Sequence, residues 1–253
     1  MKNLNRTDLA CEKNESERSD YCTVTQSVHG IEAICSYKNS DIKRETVTLT
    51  VGRVWMYNDE FKHSTSLAIS SYLSEIKSRL CPEARRILIV GLGNRFITSD
   101  ALGTYTVNEL CPVTDHTKIK SSIFILAPGV EGQSGIATFD LIKSAISLCS
   151  AELLILVDSL CARSIERLLS TIQISTEGIL PGSGVGNHKK EISKGTMGIP
   201  VISIGVPTVT DLGKYTEYKS KAFNYFVSPN DIDISIKGIS KIIAHGIEKA
   251  FYK

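Results

Sequence analysis

The chain has 253 residues, 42% apolar and 22% charged, a balance that suits a globular fold with a full-sized core. Its 29 basic residues are interspersed among 27 acidic ones, so a net charge of +2 offers no basic stripe for nucleic acid. No run reaches the ~18–20 apolar residues of a membrane span, and the polar start, Met1 to Ala10, lacks the apolar stretch of a signal peptide.

Residues 1–26 are rich in Glu, Lys, Asn, Ser and Arg without apolar periodicity, and the expectation there is a poorly ordered arm. From Ser27 to Trp55 the pattern turns β-like, first in Ile31-Glu32-Ala33-Ile34 and then in the clean alternation of Thr46 to Val51. Asp59 to Leu80 sets Phe61, Leu67, Ile69, Leu73, Ile76 and Leu80 near helical spacing. After Pro82 come four apolar runs: Arg86 to Val90, Ser122 to Ala127, Leu153 to Val157 and Pro200 to Val206. Each ends in Gly, Pro or Asp, and helical segments separate several of them. Buried parallel strands under helices have this pattern. Last, Ser228-Pro229-Asn230-Asp231 offers an N-cap serine, proline at N1 and an acid at N3. Ile232, Ile236, Ile239, Ile243 and Ile247 then line one face of a helix running to Phe251. The fold expected is α/β: a single three-layer αβα domain over residues 27–253, its mostly parallel central sheet built from about residue 82 onward. The N-terminal β segments pack beside it.

In open parallel sheets, ligands bind beyond the carboxyl ends of the strands. Gly91-Leu92-Gly93-Asn94 and then Asp100 follow the first run, and Asp158-Ser159 ends the third. Two carboxyl groups facing one another resist joint ionisation, so one holds a proton; the pair can supply both a base and an acid. Spacing alone favours the plainer reading of Asp100 as a helix N-cap and Asp158 as a strand-end turn residue, since Asp is a preferred cap. Other motifs are weaker. Gly91-Leu92-Gly93 fails as a dinucleotide fingerprint because Phe96 stands at the third glycine position. Pro181 to Asn187 is glycine-rich but lacks the Gly-Lys-Ser/Thr ending of a P-loop, and reads as a substrate-facing or subunit-contact loop. The five histidines show no ligand spacing, and no G-x-S-x-G elbow is present. Seven cysteines include no C-x-x-C pair, which predicts free thiols in a reducing compartment; Cys161 reads as a buried structural thiol rather than a nucleophile.

Longer strings carry more. Val90-Gly91-Leu92-Gly93-Asn94 with Thr98 to Gly103, Ala127 to Ile136, Val157 to Arg167, Thr171 to Ser175, and Gly198 to Thr208 resemble, in order, the motifs of the germination protease family. Arg6-Thr7-Asp8-Leu9-Ala10 resembles its processing segment and Phe226 to Phe251 its closing helix. The resemblance implies a fold like that of the hydrogenase maturation endopeptidases. It implies an aspartic-type endopeptidase, cytoplasmic in the developing spore and spore core, that starts the breakdown of small acid-soluble spore proteins. The catalytic pair would be Asp100 and Asp158, with Asn94, Glu131, Arg163 and Ser164 lining the site and neither metal nor cofactor required. The resemblance further implies a homo-oligomeric zymogen, tetrameric in the family, that loses about residues 1–8 by a cut between Asp8 and Leu9. Thr7-Asp8-Leu9-Ala10-Cys11-Glu12 is itself similar to the family's substrates: an acid, an apolar residue, Ala, and a Glu beyond. A self-like segment in the cleft would keep the precursor inactive. The chain departs from the pattern at Ser99 and Thr104, where Pro is usual; at Glu131, usually apolar; at Ala137, usually acidic; and in lacking a stretch between Asp211 and Phe226. A metal-assisted maturation peptidase with Asp100 as ligand, and a non-catalytic relative that binds spore proteins, are the alternatives.

Overall fold

The computed structural model describes residues 7–9, 12, 20–113, 121–182, 190–212 and 225–252. Among these residues nine strands form one sheet, numbered in chain order, with the order β1-β2-β3-β7-β8-β6-β4-β5 and β9 paired to β8. Strands β1 (Tyr21–Val28), β2 (Ile31–Lys38) and β3 (Asp41–Thr50) make an antiparallel meander. Its first turn is His29-Gly30, at φ 52° and 77°. Two consecutive positive-φ residues match the twist of a tight hairpin. The parallel part consists of β4 (Arg86–Gly91), β5 (Ser122–Leu126), β6 (Leu153–Ala162) and β8 (Val201–Asp211). Strand β7 (Thr171–Ser175) runs antiparallel to both β3 and β8 and joins the halves, and β9 (Phe226–Val227) is a short addition.

Helices cover both faces of the parallel strands. On one face lie α1 (Asp59–Leu80), α2 (Leu102–Asn108) and α6 (Ile232–Phe251); on the other lie α4 (Thr138–Cys149) and the short α5 (Lys194–Met197). Strand β4 shows why its run is continuously apolar. Ile87 and Ile89 enter the core under α1 and α6, whereas Leu88 and Val90 enter the core under α4. Each such side chain, fully buried, contributes roughly 1.5–3 kcal/mol. Helix α1 starts at Asn58, whose side chain accepts from the N–H of Phe61, and its span coincides with the apolar spacing from Asp59 to Leu80. No helix among the described residues is long and apolar enough to cross a membrane.

The α/β expectation holds: the sheet is mostly parallel in its core, and the meander lies beside the parallel strands as a continuation of the same sheet. Three expectations change. Residues 21–26, expected in a poorly ordered arm, form most of β1. Strands β6 and β8 run on past Asp158 and Pro207, still paired, because apolar residues resume at Leu160 and at Val209. Finally, α6 begins after Asp231 rather than Ser228. Arg53 holds the Asp231 carboxylate there, and Pro229 instead accepts from the N–H of Ile232 in the preceding turn.

Candidate active site

The first glycine motif is a packing device. Leu92, one residue past β4, donates its N–H to the carbonyl of Val157 on β6 at 2.9 Å. A Cβ on Gly91 would collide with the carbonyl of Gly103, and one on Gly103 with the carbonyl of Val157 and the main chain of Leu92. Gly93 adopts φ 99° and presses on the carbonyl of Asp100, an approach only glycine allows. The start of α2 and the single turn of 3-10 helix before it, Thr98–Asp100, are thereby drawn onto the carboxyl ends of β4 and β6.

Asp100 sits half-buried in that turn, its Oδ2 accepting the N–H of Asn94 at 2.8 Å. The Asn94 Oδ1 in turn accepts from the N–H of Phe96 and from Gln133 Nε2. This ties the loop to α3 (Glu131–Ser134). From the other side, the buried hydroxyl of Thr208 on β8 donates to the carbonyl of Ser99 at 2.6 Å. Asp158 lies within β6 opposite Gly205, 8% exposed, with its Oδ1 accepting the N–H of Ser159 at 2.9 Å.

Asp100 and Asp158 both line one cleft of about 890 Å³, together with Asn94, Glu131 and Asp8. Among the described residues lining it, four carry carboxylates and Lys190 alone a cation. The arm enters here. Asp8 donates its N–H to the carbonyl of Cys161 at 2.8 Å, and its Oδ2 accepts the N–H of Cys161 at 3.0 Å. Leu9 is completely buried against Leu160, Ala162 and Leu168. Glu12 is almost fully buried, its carboxylate accepting the N–H of Arg163 at 2.6 Å and of Ser164 at 3.1 Å and pairing with Arg167 at 3.3 Å.

Of the residues singled out from the sequence, Asp8, Asn94, Asp100, Glu131 and Asp158 therefore meet in the cleft. Leu9 sits in the apolar pocket beside it, and Arg163 and Ser164 are not among its lining residues but hold Glu12 through their main chain. Cys161 is buried, and it is its main chain that holds Asp8. Residues 183–187 of the glycine-rich loop, residues 1–6 and most of the stretch after Asp211 fall outside the described residues. Sequence reasoning gave no role to Thr208, Gln133 or Arg167. Among the described residues no group of three or more His, Cys, Asp or Glu is gathered to hold a metal.

The crevice of this α/β sheet thus gathers carboxylates around a docked piece of the protein's own chain, an arrangement that suits a peptidase. The model of the germination protease family matches residues 9–225. The chain belongs to the germination protease family, and is a protease. It is 33% identical to the germination protease of Clostridium perfringens, over 97% of this chain and 94% of that protein. With the germination protease of Bacillus subtilis the identity is 36%, over 82% of this chain and 64% of that one. The alignment with the Clostridium perfringens protein spans 309 positions against 253 residues here, so that relative carries residues this chain lacks. A NiFe hydrogenase maturation protease from Thermococcus kodakarensis is similar at a TM-score of 0.42 and 16% identity, over 68% of this chain and 99% of that one.

Proposed function

We propose that this protein is an aspartic-type endopeptidase of the spore interior that cuts small acid-soluble spore proteins, and that it matures by cutting itself between Asp8 and Leu9. Asp100 and Asp158 share one proton. The ionised carboxylate takes a proton from water, the resulting hydroxide adds to the peptide carbonyl carbon, and the protonated partner gives its proton to the departing amine nitrogen. The pair ends with its proton on the opposite carboxyl group and resets by exchange with solvent. Homo-oligomeric assembly, with four copies, belongs to the same reading.

One observation carries it: both carboxylates line the cleft in which the main chain of Asp8 is bonded to β6, three residues beyond Asp158. A piece of the protein's own arm docked in the cleft that both aspartates line supports the reading that a substrate peptide binds there. The test is to incubate Asp100→Asn and Asp158→Asn variants with purified small acid-soluble spore protein and follow fragments on gels. Each substitution keeps the side-chain shape and removes the proton exchange, so turnover falls by ~10²–10⁴-fold while the thermal midpoint stays close to the parent's. Near-parental turnover in either variant would sink the shared-proton mechanism.

A further inference from the structure

Glu12 is held more firmly than a merely docked arm requires. Its two carboxylate oxygens take four donors: the N–H groups of Arg163 and Ser164, the guanidinium of Arg167 and the hydroxyl of Thr7. The first three belong to the body of the protein, in the segment just past β6. A buried carboxylate with several N–H donors and a cation is a built receptor for one. Leu9, three residues earlier, fills an apolar pocket that also belongs to the body. Both anchors lie on the carboxyl side of the Asp8–Leu9 bond.

That position has a consequence for the mature enzyme, which rests on the reading of Asp8–Leu9 as the bond that is cut. Removing residues 1–8 takes away Thr7 and Asp8 but leaves Leu9 and Glu12 attached. We propose that Leu9 and Glu12 outlast the cut as the anchors of a tethered competitor, occupying the groove that reads the carboxyl side of a substrate, and that Arg167 is the specificity-determining residue for which own segment and substrate compete. Only residues 13–20 separate Glu12 from β1, and so short a tether keeps the segment at an effective concentration on the order of millimolar. A substrate then binds with its intrinsic affinity reduced by the fraction of molecules whose groove is open. Lowering the hold on Glu12 raises that fraction.

The test measures binding without any cleavage. A fluorescent peptide with the chain's own product-side sequence, Leu-Ala-Cys-Glu with the label at its carboxyl end, is titrated by anisotropy into the full chain under reducing conditions; a second peptide carries Gln in place of Glu. Glu12→Ala and the shape-preserving Glu12→Gln each tighten the Glu peptide at least ~10-fold, as expected when a charge-assisted anchor is lost. Asp8→Ala, on the side removed by the cut, changes it less than about threefold. In the Glu12→Ala background, Arg167→Ala weakens the Glu peptide to the level of the Gln peptide. Three outcomes overturn the proposal: no tightening with either Glu12 variant, an equal gain from Asp8→Ala, or an Arg167→Ala loss that is the same for both peptides. Whether the Asp8–Leu9 bond is cut is read separately, from the mass of the full chain, so failure of the maturation reading is distinguishable from failure of the groove.

Discussion

Gly103→Ala tests whether the close approach of α2 to the sheet ends positions the site. The added Cβ meets three main-chain atoms, the carbonyl of Val157 and the N and O of Leu92, none of which has a rotamer to yield. Overpacking of this kind costs ~1–3 kcal/mol, and rigid partners put it near the upper end. The better helix propensity of Ala returns about 1 kcal/mol, leaving a net loss of ~1–2 kcal/mol. For a domain of this size that is a fall of about 2–8 °C in the thermal midpoint. The effect on turnover should be larger than the effect on stability. The strained atoms belong to Val157, next to Asp158, and to Leu92, next to the Gly93 that packs on the carbonyl of Asp100. Displacement of reacting groups by a fraction of an ångström costs up to ~10²-fold, so turnover measured well below the midpoint should drop at least ~10-fold. Gly195→Ala serves as the control, because its nearest neighbour is Ser193 Oγ at 3.8 Å and nothing resists the methyl. Scanning fluorimetry and a peptide-cleavage assay read both quantities. A Gly103→Ala protein that melts within 1 °C of the parent and turns over at the parental rate would refute the argument.

Leu9→Lys places a charge in a pocket that leaves Leu9 no exposure. The arm should undock and self-processing should stall, as followed by the mass of the chain over time; normal maturation would argue against the docked arm as the substrate of its own cleft. Glu152 accepts the N–H groups of Arg85 and Arg86, and these bonds, ahead of the Arg86 charge, hold its carboxyl below the usual carboxylate range. A depressed native pKa contributes stability above the unfolded value of about 4.3, lost as pH falls through the native value. Glu152→Gln should therefore lower the thermal midpoint at pH 7, and the gap to the parent should close in acid; equal midpoints at pH 7 would contradict it. Chelators should leave turnover unchanged, and a loss restored by added divalent metal would favour the metal-assisted alternative.

Three of the four apolar runs were legible because β4, β6 and β8 are buried on both faces, which leaves no alternation to misread. Strand β1 was not legible, since most of its side chains face solvent and its sequence carries no burial pattern. The extension of β6 past Asp158 was hidden by the assumption that a charged residue ends a strand; here the carboxylate faces the cleft and pairing with β8 continues around it. Asp100 and Asp158 stood out only through the resemblance, for their spacing alone fits two unrelated caps. Glu12 and Arg167 illustrate a different limit. An acid after Asp8-Leu9-Ala10 was visible, but its receptor lies some 150 residues later, and nothing local in Arg163 to Arg167 marks a carboxylate site. The start of α6 failed for the same reason, because Arg53 comes from a distant part of the chain.

The docking of the arm also fixes an order of events in folding. Contacts between residue 12 and residues 163 and 164 span more than 150 positions, and their receptor exists only once β6 has paired with β4 and β8. Long-range closure of this kind is slow, so docking of the arm is expected to follow the formation of the sheet. Until that step the crevice stands vacant, and the short tether favours the chain's own arm over a neighbouring chain's as its first occupant.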